Sequence, residues 1–139
     1  GLEMLAEQPD LDTLVVAVSA SDENMRTSEL VAIERMVDHM PVFAAYDVDR
    51  IRVVSQTVIT LFEEEDGIEA LFGLVRDALP ERLYETAYAL CCDVAAADGR
   101  LTENEAEFLQ EIRHELNVSR LHAAAIELSS QLRHRPLQA

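Results

Sequence analysis

Val94-Ala95-Ala96-Ala97-Asp98-Gly99-Arg100-Leu101-Thr102-Glu103-Asn104-Glu105-Ala106-Glu107-Phe108 is the stretch whose reading decides the fold. Small residues run into an Asp-Gly pair, a polar turn follows, and an amphipathic run begins. The pattern predicts a helix ending at Asp98-Gly99 and a second starting at Thr102. Glycine reaches φ > 0 without steric cost, so Gly99 suits a helix end. Thr102 and Glu105 have the spacing of a capping box, in which each side chain accepts from a backbone N–H that the helix leaves unpaired. Asp98, Glu103 and Glu105 also crowd carboxylates into one turn.

Outward from this corner the pattern stays helical. A helix opening at Pro9-Asp10 carries Leu11, Leu14, Val15 and Val18 on one face. A second starts near Thr27, carries Leu30, Ile33, Val37 and Met40, and stops before Pro41, because proline disfavours helical geometry in the residue before it. Asp47 caps a third with Ile51, Val54, Val58 and Leu61 inward. Glu63-Glu64-Glu65-Asp66-Gly67 reads as a solvated corner. A fourth helix carries Ile68, Leu71, Phe72, Val75 and Leu79 and ends at Pro80. A fifth has Leu83, Ala87, Leu90 and Val94 inward, and a sixth, from Glu103 to about Leu116, has Phe108, Leu109 and Ile112 inward. Asn117-Val118-Ser119 forms a corner. The seventh is expected to turn Leu121, Ala124, Ala125, Leu128 and Leu132 to the core and to end by Pro136.

The first helix pair repeats in the fifth and sixth helices. An offset of 76 places Leu14 on Leu90, Val18 on Val94, Asp22 on Asp98, Met25 on Leu101 and Glu29 on Glu105. An offset of 70 then places Val48 on Val118, Arg50 on Arg120 and Val58 on Leu128. The expected fold is therefore all-α: a single domain over 1–139, about seven helices, with an internal duplication of two three-helix copies, approximately 10–64 and 81–134, joined by a linking helix. Both copies place an Asp at the end of one helix, an apolar tether after it, and a Glu in the first turn of the next helix. If the two corners face each other, Asp22, Glu29, Asp98 and Glu105 converge. Carboxylates brought together need a cation or a proton.

An EF-hand is excluded. Asp98, Gly99, Leu101 and Glu105 match its fifth, sixth, eighth and twelfth loop positions, but the first and third would be Val94 and Ala96, which cannot ligate. The first copy fails in the same way at Val18 and Ala20.

Composition narrows the partners. The net charge is −16 and every one of the 11 basic residues is Arg, so the surface repels nucleic acid and anionic lipid. Only Arg133-His134-Arg135 is locally basic. Acidity favours cations or a basic protein partner, which the sequence does not identify, and the oligomeric state stays open. No apolar run approaches the roughly 20 residues of a membrane span. The opening Gly1-Leu2-Glu3-Met4 lacks signal-peptide regions, so a cytoplasmic location is expected. Cys91 and Cys92 are neighbours within a helical pattern, point about 100° apart, and read as small buried residues rather than a metal or thioredoxin motif. His39, His114, His122 and His134 lie in no metalloprotease pattern, and no nucleophile elbow or phosphate-cradling glycine loop is present. An enzyme is not expected.

Ala95-Ala96-Ala97-Asp98-Gly99-Arg100-Leu101-Thr102-Glu103-Asn104-Glu105, with its weaker echo Ala20-Ser21-Asp22-Glu23-Asn24-Met25-Arg26-Thr27-Ser28-Glu29, resembles the TerB-like tellurite-resistance family over about Leu11 to Leu132. The resemblance implies an all-α duplicated bundle, a cytoplasmic bacterial protein of tellurite and chemical-stress response, no established enzymatic activity, and a metal site formed by acidic residues of both copies. Carried onto this chain, Asp98 and Glu105 come from the matching motif and Asp22 and Glu29 from the echo. The echo departs from the motif, with Glu23 in place of Gly and Arg26 at the position of Thr102. Oxygen-only ligands favour calcium, magnesium or manganese over zinc, with Glu103 as a spare ligand. The alternative is a metal-free acidic interaction module in which the corner acids are helix caps.

Overall fold

The structure, a computed structural model, describes residues 14, 16–18, 35, 39, 56–58, 60, 61, 63–97, 102–135 and 137. It is all-helical, with no strand among the described residues. The order is α1 (Gly67–Ala78), a 3-10 turn (Glu81–Leu83), α2 (Tyr84–Ala95), α3 (Glu103–Glu115) and α4 (Arg120–Arg133). Leu14, Val16, Val18, Val58 and Leu61 are helical as well and fully or almost fully buried. Most of the first copy of the repeat lies outside the described residues, and with it the helix count and the duplication.

The acidic corner before α1 is solvated as expected: Glu63, Glu64, Glu65 and Asp66 are exposed. Asp66 stands at the N-cap without a side-chain cap bond. Gly67 is required by contact rather than by dihedral. A Cβ there would lie 2.0 Å from the carbonyl oxygen of Leu61. Gly73, half-buried within α1, has nothing within 4 Å of its virtual Cβ. Gly67→Ala is therefore expected to lose about 1–3 kcal/mol by overpacking. Gly73→Ala should gain about 0.5–1 kcal/mol from helix propensity. Urea denaturation of both variants checks the pair; a Gly67→Ala protein as stable as the parent would refute the close approach.

One buried cluster runs through α1, α2 and α3 and also takes in Leu14, Val16, Val18, Val58, Leu61 and, from α4, Ala123. Leu71, Phe72, Val75 and Leu79 of α1 meet Ala87, Leu90, Cys91 and Val94 of α2 and Phe108, Leu109 and Ile112 of α3. Phe72 and Phe108 stack with centroids 5.6 Å apart at 26°. The expected positions Leu71, Phe72, Val75 and Leu79 of α1 and Phe108, Leu109 and Ile112 of α3 are buried, while the Ile68 side chain lies outside the described ones. The α2 helix buries Ala87, Leu90 and Val94 as expected but also Tyr88, Cys91, Cys92, Asp93 and Ala95. Leu83 is only half-buried because it sits in the 3-10 turn that follows Pro80. Arg76 and Glu115 pair at 2.9 Å across α1 and α3, but both are solvated and such pairs contribute little.

The α2 helix stops at Ala95, earlier than Asp98-Gly99, and Ala96 and Ala97 already turn. The start of α3 is the expected capping box. The Glu105 amide donates to Thr102 Oγ1 at 3.2 Å, and the Thr102 amide donates to Glu105 Oε1 at 3.2 Å. Its end is a Schellman motif. The Val118 amide donates to the Arg113 carbonyl and the Asn117 amide to the His114 carbonyl, with Asn117 at φ 53°. Asparagine is among the few residues that tolerate this left-handed geometry. Ser119 then caps α4 by accepting from the His122 amide.

The orientation of α4 corrects the sequence reading. Leu121, Leu128 and Leu132 are 78%, 55% and 53% exposed, and Ala124 and Ala125 are exposed too. The buried positions are Ala123 and Ser130, with Ile126 and Glu127 half-buried. Hydrophobic periodicity fixes only which residues share a face. Here the other face wins because α2 offers it polar partners.

Candidate functional site

Of the four expected ligands, Glu105 is among the described residues, whereas Asp22, Glu29 and Asp98 lie outside them. Glu105 is fully buried, and its Oε1 accepts from both the amide and the hydroxyl of Thr102, the latter at 3.0 Å. A buried carboxylate is costly unless paired or hydrogen-bonded, so the capping box fixes this side chain. Glu103, two residues earlier, is exposed. Among the described residues no group of three or more His, Cys, Asp or Glu side chains gathers as a metal site would require.

What the sequence reading missed is a polar seam between α2 and α4. His122 Nδ1 meets Glu85 Oε2 at 2.5 Å near the start of both helices. Further along, the Tyr88 hydroxyl donates to Glu127 Oε2 at 3.0 Å. At the far end Asp93 Oδ1 accepts from the buried Ser130 hydroxyl at 2.9 Å and from Arg133 at 2.6 Å, with His134 Nε2 3.4 Å away. Arg133 also donates to the Ser129 hydroxyl. The partners advance together along both helices, so α2 and α4 run parallel and in direct contact. One signal pointed here: Asp93 is a lone acid inside Leu90-Cys91-Cys92-Asp93-Val94, where only a partner makes a charge tolerable.

Cys91 and Cys92 are free and buried, as expected. Burial pushes the Cys91 thiol well up, and the neighbouring Cys92 adds to it. Burial likewise pushes Cys92 up to about 12, against a hydrogen bond from Tyr88 that pulls it down. Burial raises the Tyr88 phenol above its ordinary range, with Cys92 and Glu127 adding to the effect. A thiolate is the nucleophilic and metal-binding form, so these thiols are held in their unreactive state near neutral pH. No helix is long and apolar enough to cross a membrane among the described residues.

These features define an acidic, all-helical domain whose described polar side chains cap helices and join them. Residues 10–128 match the family described as Tellurite resistance protein TerB, and the chain belongs to that family. No curated protein and no solved structure gives a significant match.

Proposed function

We propose that this chain is a non-enzymatic, cytoplasmic member of the TerB family acting in tellurite and chemical-stress response, built as a duplicated bundle that binds a divalent cation. Asp98 and Glu105 of one corner and Asp22 and Glu29 of the equivalent corner would hold it. The single observation that supports this reading is the burial of Glu105 at the start of α3, where Thr102 holds its carboxylate. The donor set fits a hard cation, because it offers oxygen alone. When bound, the ion would neutralise the carboxylates and tie the two corners together.

A second reading rests on the same residue. Glu105 Oε1 already serves as the acceptor of the capping box, so the corner acids could be caps and the acidic surface a docking face for a basic protein. Thermal unfolding separates the two. EDTA-stripped protein is titrated with calcium, magnesium, manganese or zinc, alongside an Asp98→Asn/Glu105→Gln variant. An ion bound only by the folded state raises stability by about 2.7 kcal/mol at a hundredfold excess over Kd. A rise for one metal that the variant loses is the expected result. No rise for any metal, or an equal rise in the variant, would leave the capping role alone.

A further inference from the structure

The α4 helix is held differently from the helix it packs on. Eight of the twelve residues of α2 are buried. Of the fourteen in α4 only Ala123 and Ser130 are, with Ile126 and Glu127 half-buried. Its hold is the polar seam: Glu85 with His122, Tyr88 with Glu127, and Asp93 with Ser130 and Arg133. Apolar area returned to water is what makes undocking costly, and α4 returns little. The groups on the seam are polar, and water replaces their hydrogen bonds when they part.

The corner before α4 lets the helix leave without unravelling α3. The last turn of α3 is closed by its own Schellman bonds and by Arg113 donating to the Val118 carbonyl. Val118 is buried and anchors the corner, and Ser119 caps α4 from the adjoining position. We propose that α4 is a latch that pivots at Ser119 and undocks from α2 as a unit while α1, α2 and α3 stay packed, uncovering Cys92 but not Cys91.

The two thiols differ in what covers them. Cys92 lies one turn beyond Tyr88 and beside Asp93, so the Tyr88–Glu127 and Asp93–Ser130 bonds flank it and α4 closes over it. Glu127 and Arg133, both of α4, act on the Cys92 thiol, and neither is among the groups acting on Cys91. Cys91 points about 100° away around α2 and is fully buried in the cluster shared with α1 and α3.

Alkylation of the folded full chain by iodoacetamide reads the opening. The S–C bond forms, iodide leaves and the thiol proton passes to water. When alkylation is slow against reclosing, its rate reports the open population. Tandem mass spectrometry assigns the label to Cys91 or Cys92, and each rate is divided by that of the same thiol in the urea-unfolded chain. Cys92 is expected to react at least about tenfold faster than Cys91, since a latch opens at lower free energy than the core. Low urea should speed Cys91 more steeply, because global unfolding exposes more surface than undocking one helix.

Two substitutions separate the routes. Phe72→Leu loosens the Phe72–Phe108 stack, which the open latch keeps, so it should speed Cys91 and leave Cys92 unchanged. Ser130→Ala weakens the seam that both routes break, so it should speed both thiols. Equal rates for the two thiols, Phe72→Leu speeding both by one factor, or a Cys92 rate unmoved by Ser130→Ala overturns the latch. Amide hydrogen exchange of the unaltered chain needs no variant to fold. The α4 amides should exchange together, ahead of those of α1, α2 and α3, and exchange of all four helices as one unit would also overturn it.

Discussion

Thermal unfolding is expected to shift to markedly lower temperature as the pH rises above about 9, because of three buried groups on α2. Cys91, Cys92 and Tyr88 are all held protonated in the folded chain well beyond their ordinary range. The sign follows from proton counting. Below the ordinary thiol value, about 8.5, folded and unfolded chains hold the same protons and the neutral burial stabilises the fold in full. Above it the unfolded thiols ionise and the folded ones do not. The unfolded state then binds fewer protons, so stability falls as pH rises. Each thiol costs roughly a factor of ten in the folding constant per pH unit above its ordinary value, and Tyr88 adds its own loss only above about 10, the ordinary phenol value. Cys92, pushed up to about 12, loses on the order of 5 kcal/mol across its window.

Melting curves at about pH 8, 9, 10 and 11, for the parent and for Cys91→Ala/Cys92→Ala, provide the check. The parent should lose stability steeply and the variant less so, retaining only the Tyr88 contribution. Parallel curves would mean that the thiols are not what holds protons in the fold.

Asp93 carries the second large effect. Its carboxylate joins Ser130, Arg133 and His134, and it is nearly buried. Asp93→Leu removes the acceptor from a buried hydroxyl and the counter-charge from an Arg. Breaking a fully buried pair costs more, but Arg133 is half in water, so the expected loss is about 2–3 kcal/mol. Asp93→Asn keeps an acceptor for Ser130 and should lose about half as much. Guanidinium denaturation of the two variants decides the point. Equal stability of Asp93→Leu and the parent would show that apolar contact, not the polar seam, holds α4 on α2. Loss of the seam should also free α4 to bury its leucines, so this variant reports on which face of α4 the chain prefers.

That preference separates what was legible in the chain from what was not. The corner at Thr102 was readable because capping is local: residues three apart determine it, and Thr102 and Glu105 adopt it whatever lies around them. The inner faces of α1 and α3 were readable because each has one apolar stripe and one polar face, whereas α2 is buried on more than its expected stripe because α4 packs on it as well. The ends at Pro80 and Asn117 follow from backbone chemistry alone.

The α4 helix was misread because it has two candidate faces. Its leucines make the stronger apolar stripe, and single-helix periodicity points to them. Burial of Ala123 and Ser130 instead depends on Glu85, Tyr88 and Asp93, contributed by a helix almost forty positions earlier. No local rule weighs that match, since the value of a polar pair is set by the partner and by how far water is excluded. For the expected ligands the division is the same. The sequence by itself determined that Glu105 sits in the first turn of a helix, as a capping carboxylate. Only the tertiary structure decided that this carboxylate is wholly buried, because burial is a property of the elements packed over it and not of the turn that holds it.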